Sequence, residues 1–371
     1  MKVNLNFIHL YNDYSGSPRV LRDAIDATTD SLVINEKVLF TSNHDGFLSD
    51  ISNVEEINFF YRRSKSKGFQ LLYYLLSQIC LFFTVSKKLL RAKLSDKSVD
   101  NIVVINTMLP FGGAIASKLF ADKVIYYIHE SHVSPPLLKR FLRWVIELTS
   151  DDVIFVSNYL LKNEKFKNPN MNVIYNGLRN DFSTPSSIDF NYKFNSKNII
   201  FSGSLKKYKG IDYLVELSSV MPDFNFIFVL NCTEQELSDY FYGVKLNSNI
   251  VIKLRPDNIE DIYSSGFAIL NLSIPTQWTE TFGLSILEGM NYGCIPIAPN
   301  AGGPLEIVNE KCGLLSEPSD IIKISDFLKL LSSDFNLWLS YSNASLERAK
   351  LFSSNSYKKN FIDYIESKVL P

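Results

Sequence analysis

The chain has 371 residues, 46% of them hydrophobic, which is long for one domain and enough to give each of two a core. Its 38 Lys and Arg against 39 Asp and Glu leave a formal net charge of −1, which excludes a nucleic-acid binder working through bulk positive charge. Cys80, Cys232, Cys294 and Cys312 form no CxxC and no pairing rhythm, so they read as small buried hydrophobes in a reducing, cytoplasmic setting.

The N-terminus, MKVNLNFIHL, reads directly as a strand and lacks the apolar core and cleavage site of a signal peptide. Short β-branched or aromatic runs then alternate with helical stretches, the pattern of a parallel sheet with helices on both faces. Strands are predicted over 3–9, 32–40, 57–61, 102–106, 124–129, 153–156 and 173–175. After the first strand, Ser15-Gly16-Ser17-Pro18 leads into a helix. A glycine loop at a strand's carboxyl end is where open α/β sheets take ligands, and Gly16 lets the backbone approach a phosphate. G-x-G-x-x-G is missing, so this is no dinucleotide fingerprint.

Phe69 to Leu90, FQLLYYLLSQICLFFTVSKKLL, is the most apolar segment. Ser77, Gln78 and Thr84 interrupt it, and its densest part falls short of the roughly 20 residues of a membrane span. Arg62, Arg63, Lys65 and Lys67 precede it, and Lys87, Lys88, Arg91 and Lys93 close it. Two readings fit: a helix buried against the sheet with solvated charged ends, or one docked on an anionic membrane face. They are compatible. The strand at 124–129 ends in His129-Glu130-Ser131-His132, which puts His129 at a carboxyl end that faces a ligand site. The spacing of His129 and His132 is not that of a zinc helix, and HExxH is absent. Asn176-Gly177 is a turn, and residues 179–197, with Ser183 to Ser187, read as a linker.

The alternation restarts with a strand over 198–203, followed by Ser204-Leu205-Lys206-Lys207-Tyr208-Lys209-Gly210 opening a helix. Three lysines in a strand-to-helix loop make a cationic pocket suited to a diphosphate. Strands over 226–230, 250–254 and 267–273 follow, with Arg255-Pro256 after the second. Next comes WTETFGLSILEGMNYGCIPIAPNAGGPLEI, from Trp278 to Ile307. A helix is predicted to begin near Phe282, with Leu284, Ile286, Leu287 and Met290 on its apolar side. Its free N–H groups around Gly283 and Leu284 suit a phosphate, and Glu280 precedes them. Glu288 lies about two turns on, roughly 9 Å away, so the two carboxylates make a clamp for a nucleotide-sugar. A surface helix that happens to carry two glutamates fits the spacing as well. A strand over 294–298, a Gly302-Gly303-Pro304 turn and a helical tail from Ser319 complete the chain.

Glu280-Thr-Phe-Gly-Leu-Ser-Ile-Leu-Glu288, backed by Gly293, Pro296 and Gly302-Gly303, closely resembles the Glu-x7-Glu signature of the retaining glycosyltransferases of family 4. The resemblance implies an α/β architecture, the GT-B fold: two facing Rossmann-like domains with parallel sheets and an interdomain cleft. It places an acceptor-side domain over 1–180 plus a returning helix at 354–371, and a donor-binding domain over 181–353. It implies transfer of a sugar from a nucleotide-diphosphate donor, with the anomeric configuration retained, to a glycan or lipid-linked acceptor. A bacterial surface polysaccharide and the inner membrane face are the expected setting. Glu280 and His129 inherit contacts to the donor sugar, Glu288 the ribose, and Lys209 the diphosphate. Arg255 lies where the family has a loop near the base. Ser204 stands where the family has Arg, so Lys206 or Lys207 compensates or one phosphate is held less firmly. The family's usual pair of glycines near Gly16 is reduced to one. No metal or other cofactor is expected, since Asp-x-Asp is absent. The same fold also serves nucleotide-sugar epimerases, and the two departures are what a non-catalytic nucleotide-sugar-binding subunit would show.

Overall fold

The computed structural model describes residues 2–368 apart from 30, 181, 183, 184 and 186. Most of the Ser183–Ser187 linker stretch and the last three residues of the expected returning helix therefore lie outside the described residues. The chain forms two compact units, residues 1–176 with 355–371, and residues 177–354.

The first unit is built on seven parallel strands: β1 (Val3–Ile8), β2 (Ile34–Ser42), β3 (Glu55–Phe59), β4 (Asp100–Asn106), β5 (Lys123–Ile128), β6 (Asp152–Phe155) and β7 (Asn170–Val173), in the order β3-β2-β1-β4-β5-β6-β7. Helices α1 (Gly16–Ala27), α2 (Lys67–Ser95), α3 (Phe111–Phe120), α4 (Pro136–Thr149) and α5 (Asn158–Asn163) connect them. β1 is buried along its whole length, with Leu5 opposite Ile102 of β4 and Leu39 of β2 facing Phe7. β1 buries Asn4 and Asn6 along with its apolar residues, while 102–105 of β4 and 124–128 of β5 are the continuous apolar runs of strands covered on both faces, which is why those two were visible in the sequence. Successive connections run to β2 on one side of β1 and to β4 on the other, so the sheet reverses direction between β1 and β4.

α2 is long and apolar enough to cross a membrane by length and composition alone. Both of its sides are largely apolar: Leu81, Val85 and Leu89 are buried against the unit together with Ser77, Gln78 and Ser86, while Phe69, Leu72, Leu76, Ile79, Phe83 and Leu94 are exposed. The inward groups are used: Gly112 N donates to Gln78 Oε1 at 2.9 Å, and Tyr74 donates to the Leu109 carbonyl at 2.7 Å. Lys88 reaches both Glu36 and Glu55. A Cβ on Gly112 would come within 2.0 Å of the Gln78 carbonyl oxygen, so α2 and α3 touch only because that residue is glycine.

The second unit has six parallel strands: β8 (Asn198–Gly203), β9 (Asn225–Leu230), β10 (Ile250–Leu254), β11 (Gly266–Leu270), β12 (Ile295–Pro299) and β13 (Leu314–Ser316), ordered β10-β9-β8-β11-β12-β13. Its helices are α6 (Phe190–Ser196), α7 (Ile211–Val220), α8 (Glu234–Tyr240), α9 (Ile259–Ser264), α10 (Leu284–Asn291), α11 (Pro304–Ile307), α12 (Ile321–Ser333) and α13 (Phe335–Lys350). Trp338 anchors its core, stacked on Phe267 at 5.4 Å and donating to the Phe267 carbonyl at 3.2 Å. Lys193 of α6 is fully buried, with Nζ donating to the Tyr263 carbonyl at 2.8 Å. Helix α14 (Ser354–Glu366) belongs to the first unit, where Tyr127 donates to Tyr357 at 3.3 Å and Lys368 pairs with Asp152.

Several expected elements are displaced by two or three residues, among them the strands expected over 32–40 and 57–61, which lie at Ile34–Ser42 and Glu55–Phe59. The strand expected over 173–175 lies at Asn170–Val173, where the polar Asn-Met-Asn pairs with the edge of β6. The helix expected near Phe282 begins at Leu284, because Gly283 takes φ 114°, a left-handed conformation that stops the helix short. Phe282 is instead a core residue, 2% exposed and edge-on to Phe352.

Candidate functional site

In the second unit the sequence candidates gather at the carboxyl ends of β8 and β11. β8 runs through Ser204 into a single 3-10 turn, Lys207–Lys209, which ends at Gly210 with φ 75°. A Cβ there would lie 2.0 Å from the Leu272 carbonyl oxygen, so glycine lets this turn press against the chain leaving β11. The turn aims Lys209 at Glu280, with Nζ donating to Oε2 at 2.7 Å and both side chains largely buried. Asn271, just past β11, donates to the same oxygen at 3.4 Å. Burial pushes the Glu280 carboxyl up, but the Lys209 charge and its hydrogen bond, with those of Asn271 and the Thr281 backbone, overcome it and hold the group below its ordinary value.

The backbone around Glu280 is fixed from behind. Gly303 N donates to the Glu280 carbonyl at 2.9 Å, and a Cβ on Gly302 would stand 2.3 Å from that oxygen. The double glycine is therefore a steric requirement of the Glu280 loop. Trp278 stacks on Tyr208, the residue before Lys209, with rings 5.3 Å apart. Leu284 then opens α10 behind Gly283, so the helix's unpaired N–H groups begin four residues after Glu280.

Glu288, one turn into α10, is held by residues from two other elements. Tyr263, at the end of α9, donates to Oε2 at 3.1 Å, and Arg179 approaches Oε1 at 3.5 Å while lying over the Phe182 ring. Lys206 and Arg255 go elsewhere. Both are exposed, and with the stronger hydrogen bonds from Thr233 they help to hold the Glu236 carboxyl below its ordinary value. Arg255 adopts φ 41° and donates from Nε to Asn231 at 2.8 Å. Ser204 contributes its carbonyl to Lys206 N at 2.9 Å. The structure thus brings Lys209 onto Glu280, with Gly283 and Leu284 opening the helix that follows and Glu288 further along it, buries Phe282 in the core, and sets Lys206 and Arg255 toward Glu236.

In the first unit Gly16 is the first residue of α1, and a Cβ there would meet nothing within 4 Å. Its glycine is not demanded by packing. His129 follows β5, where Nε2 lies 2.6 Å from Asn106 Oδ1. Burial pulls its pKa down to about 3, with His9 adding to the effect, so the imidazole is neutral. Glu130 beside it accepts from Met108 N at 2.7 Å, yet burial pushes its carboxyl up to about 7. A separate pocket of about 360 Å³ is lined by His132, Lys139, Arg140 and Arg143, and Glu164 neutralises two of these cations by pairing with Lys139 and Arg143. No cluster of three or more His, Cys, Asp or Glu able to hold a metal occurs among the described residues.

Sequence reasoning missed Asn271, Tyr263, Arg179, His9 and Asn106. Each comes from a different element and lies in no motif. Asn106 left one usable signal, a polar residue closing the buried apolar run 102–105.

Residues 187–348 match the family model of the glycosyl transferases group 1. An uncharacterised glycosyltransferase of Haemophilus influenzae is 26% identical over 275 residues, covering 71% of this chain and 75% of that protein. The sucrose-phosphate synthase of Spinacia oleracea is 32% identical over 114 residues, which is 30% of this chain and 11% of the synthase. Among solved structures, Anabaena HepE in complex with UDP and glucose superposes with a TM-score of 0.77 at 18% identity, covering 98% of this chain and 99% of that one. The lipopolysaccharide outer core galactosyltransferase WaaB superposes with a TM-score of 0.69 at 17% identity, over 99% and 100%. Residues 187–348 therefore resemble the glycosyl transferases group 1, in a chain whose two Rossmann-like units have the GT-B fold.

Proposed function

We propose that this protein is a retaining, metal-independent glycosyltransferase that moves a sugar from a UDP- or GDP-sugar to a glycan or lipid-linked glycan in polysaccharide biosynthesis. The Lys209–Glu280 pair carries the reading. It sits within the group 1 domain, with the α10 N-terminus four residues further along. As the donor bond breaks, negative charge grows on the departing nucleoside diphosphate. Lys209 and the N–H groups of α10 supply fixed positive charge for it, a role that elsewhere falls to a divalent ion. Glu280 binds sugar hydroxyls and Glu288 the ribose. The first unit takes the acceptor, and His129 offers a neutral imidazole to a sugar hydroxyl. HepE's complex with UDP-glucose favours UDP among the donors.

The exposed side of α2 is read as a peripheral dock on the anionic, cytoplasmic face of a membrane. The inward side is engaged by Gly112, Glu36 and Glu55, so the helix lies on a bilayer rather than crossing it. Neutralising Lys87, Arg91 and Lys93 should weaken binding to phosphatidylglycerol vesicles about fivefold per residue. Unchanged partitioning would sink this part.

The function test is a thermal-shift screen against UDP, GDP, ADP, CMP and dTDP, with and without magnesium. A ligand in hundredfold excess over its dissociation constant adds about 3 kcal/mol. One diphosphate should stabilise the protein without magnesium, and NMR of the product should show the donor's own anomer. A product of opposite anomeric form removes the retaining assignment. Binding without transfer to any acceptor, and without donor hydrolysis, favours the non-catalytic subunit that Ser204 and the single Gly16 suggest. An isomerised free sugar would indicate an epimerase.

A further inference from the structure

Three polar contacts converge on the Asn106 side chain, which ends β4 beside the point where the first sheet reverses direction. The residue is completely buried. Its Nδ2 lies 3.1 Å from the Ser17 carbonyl oxygen, an atom that only accepts, so the amide nitrogen is the group on that side. The same Nδ2 lies 2.9 Å from His9 Nδ1, and Oδ1 lies 2.6 Å from His129 Nε2.

One orientation of one amide then decides two imidazoles. An amide nitrogen only donates, so His9 accepts at Nδ1 and carries its proton on Nε2. An amide oxygen only accepts, so His129 carries its proton on Nε2 and keeps a lone pair on Nδ1. The contact to Ser17 also ties the Ser15-Gly16-Ser17 loop to this centre.

We propose that Asn106 is a positioning residue that locks both tautomers, so that His129 presents a hydrogen-bond acceptor and the site selects a ligand hydroxyl there over a carboxylate. That a ligand meets His129, and that its hydroxyl is a sugar's, rests on the glycosyltransferase reading, whereas the two tautomers do not. The titratable and charged groups around the pair are few. Asp13 acts on His9, His9 acts on His129, Glu130 adjoins His129, and Asp23 of α1, itself paired with Arg19, acts on Tyr127.

The chain has four histidines, so long-range proton–nitrogen spectra of the labelled full chain can be assigned with His44→Gln and His132→Gln variants. Both His9 and His129 should appear as Nε2–H tautomers from pH 8 down to pH 5.5. An Nδ1–H form at either position, or a titration near 6.5, overturns the proposal whatever the enzyme does. Asn106→Asp keeps the size but offers oxygens on both sides. It should move a proton onto His9 Nδ1 and bring His129 titration up into that pH range. Where turnover is measurable, kcat should fall about tenfold with a new pH dependence and a nearly unchanged KM for donor. UDP-glucuronate should remain a poorer donor than UDP-glucose for the native chain. A variant that only melts earlier, with imidazole signals and pH profile unmoved, shows Asn106 to be structural and refutes the idea.

Discussion

The two units carry similar sheets but set contrasting chemistry at the carboxyl ends of their strands. The second unit places a full cation against a full anion, Lys209 on Glu280, behind glycine turns that no other residue would tolerate. The first unit places neutral rings, His9 and His129, around a neutral amide. The reason is solvation. A partly buried carboxylate stays charged because a lysine answers it at hydrogen-bond distance, whereas burial outweighs the Asp13 charge on His9 and goes unanswered on His129, so both imidazoles lose their protons. Charge suits a diphosphate, and neutral hydrogen bonding suits hydroxyls.

The strongest way to break this contrast is Lys209→Met. It removes the cation proposed to hold the leaving group, and the burial of Glu280 is then opposed only by the hydrogen bonds from Asn271 and the Thr281 backbone. Turnover should fall by about 10²–10³, and UDP should no longer raise the melting temperature. A variant that keeps its rate would show that the lysine serves only to pair with Glu280.

The next effect is on stability against pH. His9 is pulled down to about 4 and His129 to about 3, from an ordinary 6.5. Below 6.5 the unfolded chain takes up two protons that the folded chain refuses, so these groups remove stability as pH falls through that window. Glu130 works the other way. Its carboxyl, raised from 4.5 to about 7, keeps a proton that the unfolded chain releases, so it removes stability as pH rises through 4.5–7. From 4.5 to 6.5 the balance is two protons less one, or about 1.4 kcal/mol per pH unit, rising with pH. Above 6.5 only Glu130 acts, and stability turns down. Glu280, held below its ordinary value, adds stability that is lost only at still lower pH. Urea unfolding from pH 4.5 to 8 should therefore peak near 6.5. Glu130→Gln should steepen the rise to about two protons and flatten the fall. A native curve flat from 4.5 to 6.5 would show that the imidazoles are not held neutral.

Much of the architecture was legible because parallel strands buried on both faces carry continuous apolar runs, as β4 does at 102–105 and β5 at 124–128, whereas β1 with Asn4 and Asn6 had to be read from its Val, Leu, Phe and Ile. β13 was not legible, since three residues carry no period, and β7 was misplaced because an edge strand reading Asn-Met-Asn has no apolar signal. Lys209 and Glu280 were legible as candidates from their loops. Their contact was not, because the two are far apart in the chain and the glycines that bring them together act through backbone clearance. Asn271 and Tyr263 were silent for a related reason, and Asn106 showed only as a polar residue closing an apolar run. Hydrogen-bond partners drawn from different elements leave no spacing to read.

The smallest expected effect tests how Glu288 is held. Tyr263 is fully buried and donates to one carboxylate oxygen while Arg179 approaches the other. Tyr263→Phe keeps the ring's edge contact with Phe182 and removes only the hydroxyl. Arg179 still answers the charge, so the loss is one hydrogen bond to a carboxylate, about 1.5 kcal/mol. If Glu288 must be oriented to meet a ribose, UDP should bind roughly tenfold more weakly while kcat stays close to native, since the leaving-group charge is met by Lys209. Calorimetric titration of UDP separates the outcomes. Unchanged affinity means that Arg179 alone orients the carboxylate. A drop confined to kcat would move Glu288 from nucleotide binding to the reacting centre, and so dissolve the division of labour along α10.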